Sequence, residues 1–295
     1  METHTQTIDV YNIITSRIIE QLEKQVIPWR KPWTDGGHPQ NLFTKRPYTG
    51  INTWLLGSLG YSQNYFLTWK QLKGVGASVK KGEKGAMVIF WKRFQQDGEE
   101  RSILRYYKVF NIDQINGLPE VITIPFPPES IAGISACDEI IERMPNCPKI
   151  KHGRQRAYYD PATDHINMPR QGTFDSLSSY YGTLFHELVH STGHQSRLNR
   201  REIVEPIKFG SDPYSIEELT AEIGACYLNS ITGIIYQEFD NSVAYIKGWI
   251  DRLQNDDRLI VYASGQAQKA TDYILKVQSY DKSQEMLVEQ SVEAL

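Results

Sequence analysis

The segment His186-Glu187-Leu188-Val189-His190, inside YYGTLFHELVHSTGH, constrains this chain more than any other. Four residues make about one helical turn, so on a helix both imidazoles leave one face and can meet a single divalent ion. Glu187 then lies beside that ion, where it can take a proton from bound water. Leu184 and Phe185 give the helix a buried side, and Gly193 predicts its stop just after the second imidazole. His186 and His190 are therefore the expected metal ligands and Glu187 the expected catalytic base. The bare motif arises by chance in about 1% of chains of average composition, so its weight comes from this context.

Two imidazoles leave a tetrahedral site short of a protein ligand. Ser196 stands where the longer HExxHxxGxxH pattern needs a third histidine, and no histidine follows His194. His194 continues the same stripe, yet three ligands along two turns of straight helix cannot converge on one ion. The third ligand is then a carboxylate from the helical run SIEELTAEIGACYL. The preferred assignment is Glu218 as ligand and Glu222, on the same face, as acceptor for a liganding imidazole N–H; exchange of the two roles stays open. Zn2+ is the expected ion, with Mn2+ as the alternative. Cys226 and His165 read as packing or surface residues.

The net charge of −3 conceals a division. Residues 1–130 carry 16 Lys and Arg against 12 Asp and Glu, so the later residues hold the acidic excess. From Lys24 to Arg93, 12 basic residues face only Asp35 and Glu83, and five of the six tryptophans fall in the same window. Phosphates attract Lys and Arg, and unstacked bases lie on flat rings, so this composition suits a single-stranded nucleic acid. The expected contacts are Trp33, Tyr48, Asn52, Trp54, Trp69, Lys70, Lys80, Lys81 and Lys84. Phe90 and Trp91 are assigned to the core. Three cysteines without a CxxC pair fit a reducing compartment. No run of 18 apolar residues and no signal-peptide pattern is present, so the expected location is the cytoplasm, without membrane contact.

Apolar spacing over 8–25 predicts an amphipathic helix, and PWRKPWTDGGHPQN a long loop. The segment GASVKKGEKGAMVIFWKRF reads as two strands around a Gly82–Gly85 turn, with a second strand pair across ILRYYKVFNI. Four prolines in GLPEVITIPFPPES put a domain boundary near residue 128. Helices are expected near 135–144, 176–193, 215–232, 240–254 and 259–278, with strands around Ile150 and from Arg156 to Met168. The expected fold class is α+β in two domains, 1–128 and 129–295.

PWRKPW, PQNLFTKRPYTGINTWLL and YFLTWKQLKGVGASVKKGEKG resemble the N-terminal single-stranded-DNA-binding domain of plasmid antirestriction proteins of the ArdC type, shared with conjugative primases of the TraC type. YYDPATDHINMP, FHELVHSTGHQSRLNR, EELTAEIGACYL and AYIKGWIDRL resemble their zincin-like metallopeptidase domain. One departure is visible: LEKQ stands where such sequences often have LEAG, with Gln25 in place of glycine. The resemblance implies a protein that binds single-stranded DNA, carries a metal-dependent peptidase-like site, and protects incoming plasmid DNA from host restriction during conjugation. It also implies kinship with proteases that digest DNA–protein crosslinks, whose substrate is a DNA-bound protein. In the enzyme reading, the strand from Tyr158 to Met168 is the edge on which an extended peptide pairs. The competing reading is a protein that coats single-stranded DNA and holds a structural metal. An intact Glu187 favours the enzyme.

Overall fold

The computed structural model describes residues 9–29, 38–96, 99–119, 133–204, 212–234 and 243–277. The chain is α+β, with a sheet in each half. Val10, Ile14, Ile18 and Leu22 form one buried stripe on α1 (Val10–Glu23), and the Asp9 side chain caps it by accepting from the amides of Tyr11 and Asn12. No glycine ends this helix. Gln25 holds φ at 60°, and the amides of Gln25 and Val26 return to the carbonyls of Leu22 and Gln21.

β1 (Gln40–Asn41) and β2 (Tyr65–Thr68) pair in parallel, and β2 runs antiparallel to β5 (Glu99–Asn111), which pairs along β4 (Ala86–Gln96). The short helices α2 (Ile51–Gly57) and α3 (Trp69–Gly74) flank β2 in sequence. The two strands expected around the Gly82–Gly85 turn form, but they do not pair with each other. β3 (Ser78–Val79) pairs instead with β6 (Ile115–Asn116), while β4 finds a continuous antiparallel partner from Ala86↔Val109 to Gln96↔Glu99. The expected strand pair across Ile103–Ile112 is accordingly one long strand. Its length lets Met87, Ile89 and Leu104 join the core against α1 and α2. Trp91, assigned to the core, is 38% exposed near the end of that core, with the Tyr11 ring 6.2 Å from its own.

In the second half, α4 (Ile134–Arg143) leads to a three-stranded sheet of β7 (Lys149–His152), β9 (His165–Met168) and β8 (Tyr158–Asp160), in that order. The strand expected from Arg156 to Met168 is thus two strands, β9 central and β8 at the edge. The helices α5 (Leu177–Ser191), α6 (Arg201–Val204), α7 (Asp212–Thr232), α8 (Val243–Asn255) and α9 (Leu259–Ile274) complete the half. A side-chain carbon at Gly224 would stand 2.7 Å from the Val189 Cγ2, so glycine there lets α7 press directly on α5. Ile166, Met168, Phe185, Leu188, Ala221 and Leu228 fill the core beneath. Among the described residues, no helix is long and apolar enough to cross a membrane.

The largest core draws on both halves. Ile14, Trp29 and Trp54 bury themselves against Ile223, Tyr227, Trp249 and Ile260. Trp54 stacks on Tyr227 at 4.8 Å, and the Tyr227 hydroxyl donates to the Gly50 carbonyl at 2.7 Å. The expected boundary near residue 128 lies outside the described residues.

These contacts set two stability expectations, both read by urea unfolding of the full chain. Trp54→Ala should cost ~3–5 kcal/mol, as for other large-to-small core changes. Gln25→Gly should stabilise the fold, because it relieves a left-handed strain of ~1–2 kcal/mol at an unfolded-state entropy cost of ~0.5–1 kcal/mol.

Candidate metal centre and nucleic-acid surface

Ser176 caps α5 by accepting from the Ser179 amide, and the helix runs through the whole HExxH segment. The Nε2 atoms of His186 and His190 lie 3.0 Å apart. Across from them, Glu218 of α7 places its carboxylate oxygens 3.7 Å from each. Around a tetrahedral zinc with bonds near 2.0–2.1 Å, neighbouring ligand atoms stand about 3.3 Å apart, a spacing bracketed by these distances. His186, His190 and Glu218 therefore fit one divalent ion, and their ligand atoms all lie within 4.8 Å of one another.

Glu222 does not serve the imidazoles. Its Oε2 accepts from Trp29 Nε1 at 3.1 Å and from the Tyr245 hydroxyl. The acceptor for His190 Nδ1 is Glu217, at 2.9 Å. The reason is where α5 meets α7: Val189 rests on Gly224, so the Glu217–Glu218 turn comes level with the imidazoles while Glu222, one turn on, faces Trp29 and α8. Arg200 completes the arrangement, which nothing in the sequence reading included. Its Nε and Nη2 grip Glu217 at 2.8 and 2.6 Å, and further bonds reach the Thr192 hydroxyl and the Val189 carbonyl. Gly193 belongs to this clamp. A side chain there would strike Ile203 at 2.5 Å and Arg200 at 3.0 Å, so close approach explains the glycine as well as the helix end does. The signal was present in the sequence as Gly193 and the RLNR run, but no local rule connects them to a carboxylate at 217.

Electrostatics follow from this packing. Burial, with the neighbouring His190, pushes His186 well below the usual imidazole range. His190 is also buried, but Glu217, Glu218 and Glu187 outweigh that burial and lift it to about 9. Burial raises Glu217, and the Arg200 charge together with the His190 bond overcomes this and holds it low. Burial likewise raises the Glu187 carboxyl, against a bond from the Tyr159 backbone. Glu187 is 8% exposed, next to the edge strand β8.

The expected DNA contacts divide. Trp69 is 51% exposed, with the Lys73 ammonium 5.8 Å from its ring and Lys70 exposed beside it. Trp69 also meets Phe110 at 5.6 Å, and Gly85 packs on that same ring, which brings the exposed Lys80, Lys81 and Lys84 turn alongside. Asn41 and Gln71 exchange bonds of 2.9 and 3.1 Å and tie the exposed Phe43 and Lys45 to this patch. Trp54 is 2% exposed and taken up by Tyr227, so it offers no face to a base. Tyr48 is buried edge-on to Phe66. Asn52 is engaged with the Ile89 backbone, donating and accepting at 2.8 Å. Trp33 lies outside the described residues. Sequence neighbours told nothing of these partners, which come from distant parts of the chain.

Comparison with known proteins agrees with both halves. Residues 8–117 match the family model of the N-terminal domain of the anti-restriction factor ArdC, and residues 136–266 match a zincin-like metallopeptidase model. The Mn(II)-bound crystal structure of the antirestriction ArdC protein from plasmid R388 superimposes with a TM-score of 0.74 at 37% identity, covering 92% of this chain and 100% of that one. Its metal-free form gives 0.72 at 38%, covering 91% and 97%. Two Escherichia coli DNA primases named TraC are each 34% identical, over 95% and 90% of this chain. The chain spans only 28% and 20% of their lengths, and the likeness runs through both halves rather than the first alone. The uncharacterized protein y4eC of Sinorhizobium fredii is 32% identical over 92% of this chain and 93% of its own length.

The raised His190 pKa has a measurable consequence. An ion must displace that proton, so apparent metal affinity should rise roughly tenfold per pH unit between about 6.5 and 9, with one proton released per ion. Calorimetric titration in buffers of different ionisation heat reads both quantities. The sign for stability is opposite: a folded pKa of about 9 above the ordinary 6.5 stabilises the metal-free chain below 6.5, and that contribution is lost as pH rises through 9.

Proposed function

Because the chain belongs to the ArdC family of antirestriction proteins, we propose that it binds single-stranded DNA through the Trp69 patch and cleaves protein bound on that DNA. Protection of incoming plasmid DNA from restriction, during conjugation and in the cytoplasm, follows from that cleavage. Zinc is the proposed ion, with manganese second. Domains of 1–128 and 129–295 divide the two tasks.

Glu187 carries this reading. A structural metal site needs ligands but no carboxylate standing free of them on the ligand helix, and here Glu187 is buried beside the cluster with a pKa raised by that burial. A divalent cation held by His186, His190 and Glu218 would polarise a peptide carbonyl and acidify bound water. Glu187 would take the proton from that water and return it to the leaving amine. Glu217, gripped by Arg200, fixes the His190 ring so that Nε2 is presented to the ion. The β8 edge offers backbone groups to an extended substrate, and its Tyr159 amide touches the base. Lys70, Lys73, Lys80, Lys81 and Lys84 suit phosphates, while Trp69 and Phe43 suit unstacked bases.

Glu187→Gln preserves shape and leaves both imidazoles free for the metal. It should keep metal content and single-stranded DNA binding, yet lose cleavage of a DNA-bound protein and protection in a conjugation assay. If protection persists at normal stability, coating of the DNA is the operative mechanism.

The DNA surface is tested separately with the full chain. Trp69→Ala should cost ~1–3 kcal/mol in binding to single-stranded DNA with little change in salt slope. Replacing Lys80, Lys81 and Lys84 together should flatten that slope. Fluorescence anisotropy at several salt concentrations separates the two effects.

A further inference from the structure

The second half carries an acidic excess, yet from Lys149 to Tyr159 it holds Lys149, Lys151, Arg154 and Arg156 and no Asp or Glu. All four cations are exposed, and none makes an ion pair among the described residues. Strand register sorts the two faces of the sheet that carries them. Ile150, Ile166 and Tyr159 align across one face, where Ile166 and Met168 are buried with Phe185 and Leu188 of α5. Lys149 and Lys151 therefore lie on the opposite face, Lys149 in a row with His165 and Asp160, Lys151 in a row with Asn167 and Tyr158. Asp160, the one acid in these three strands, is taken up by its own turn: its carboxylate accepts from the Thr163 hydroxyl at 2.7 Å and the Ala162 amide at 3.0 Å.

This face is also fixed before anything binds. The buried Asn167 side chain accepts from the Arg154 amide at 3.2 Å and donates to the Arg154 and Arg156 carbonyls at 3.4 and 2.6 Å, which pins the turn that carries both arginines. The Arg154 guanidinium stands 6.0 Å from the Tyr158 ring, and that ring meets His165 edge-on at 6.1 Å. Cations along a rigid strand without local counter-charge suit a row of phosphates, and a ring beside a planar guanidinium suits an unstacked base.

We propose that this outer face of the β7–β9–β8 sheet is a second contact surface for single-stranded DNA, with phosphates on Lys149, Lys151 and Arg154 and a base against Tyr158. The inference goes beyond the Trp69 surface and rests on the reading that the chain binds single strands. A duplex keeps its base faces stacked and would leave the Tyr158–Arg154 pair unused. Position gives the surface a use. Tyr158 shares β8 with Tyr159, whose backbone meets Glu187, and Arg156 lies within Coulombic reach of the same carboxylate. A strand on this face runs along the back of the element that borders the metal cleft, so a protein bound to that strand stands at the cleft's edge.

The test is fluorescence anisotropy of the full chain with an oligothymidylate of about 30 nucleotides, over a series of salt concentrations. Lys149→Ala with Lys151→Ala should weaken binding at least ~5-fold at low salt and flatten the salt slope by about 1.4, whereas Lys149→Arg with Lys151→Arg should keep both. Lys247→Ala with Lys269→Ala makes the same charge change at exposed positions of the same half and should shift affinity less than ~2-fold. Tyr158→Ala should weaken binding ~5-fold or more without changing the slope. Ultraviolet crosslinking to an iododeoxyuridine strand, read by peptide mass spectrometry, should leave an adduct between Lys149 and Asp160. No adduct there, a Lys149–Lys151 effect no larger than the Lys247–Lys269 control, or a greater loss on duplex than on single strand would overturn the surface. An unaltered chain that binds no single strand removes this surface and the Trp69 surface together. Binding that responds to Trp69→Ala but not to Lys149, Lys151 or Tyr158 removes this one alone.

Discussion

The metal centre depends on one buried carboxylate. Glu217 is 4% exposed, accepts a fork of bonds from Arg200 and receives His190 Nδ1 at 2.9 Å. Neither charge could remain in that interior alone, and removing one partner of such a buried pair typically costs ~3–5 kcal/mol. Arg200 does more than neutralise. By bonding the Thr192 hydroxyl and the Val189 carbonyl it ties the end of α5 to the start of α7, which is what brings the imidazoles and Glu218 to a common point. The two glycines that allow this, Gly193 under Arg200 and Gly224 under Val189, act through the space they leave open.

A second dependence links the halves. The N-terminal helix and the two buried tryptophans, Trp29 and Trp54, complete a core whose other side is α7, α8 and α9. Trp29 reaches through that core to Glu222, one turn from Glu218 on the same helix. The helix that carries Glu218 is thus held on one face by Arg200 and on the other by the N-terminal half.

Much of this was legible because it is local. The spacing of HExxH makes sense only on a helix, and the α7 carboxylates were visible as an acidic run between apolar residues. Which of them turns to the imidazole was not legible. Glu217 and Glu222 are both compatible with an amphipathic helix, and only the contact of Val189 with Gly224 decides between them. Trp54 stands beside Asn52 and Thr53 and so resembles an exposed residue, yet its partner Tyr227 lies 173 positions away (227 less 54). The strand pairing failed for the same reason. Two strands around the Gly82–Gly85 turn were visible, but the long β5 offers β4 far more pairing than the two-residue β3 can. Gln25 shows the converse: the left-handed helix end keeps its hydrogen bonds even without the glycine that would make it cheap.

The geometry assigns one ion to His186, His190 and Glu218, while Glu222 remains with Trp29 and Tyr245. Anomalous diffraction from crystals of the full chain grown with zinc tests it directly. The account predicts a single peak about 2.0–2.2 Å from the two Nε2 atoms and a Glu218 oxygen, with Glu222 still on Trp29. A peak coordinated by Glu222 or Glu217, or no ordered ion at the two imidazoles, would contradict it.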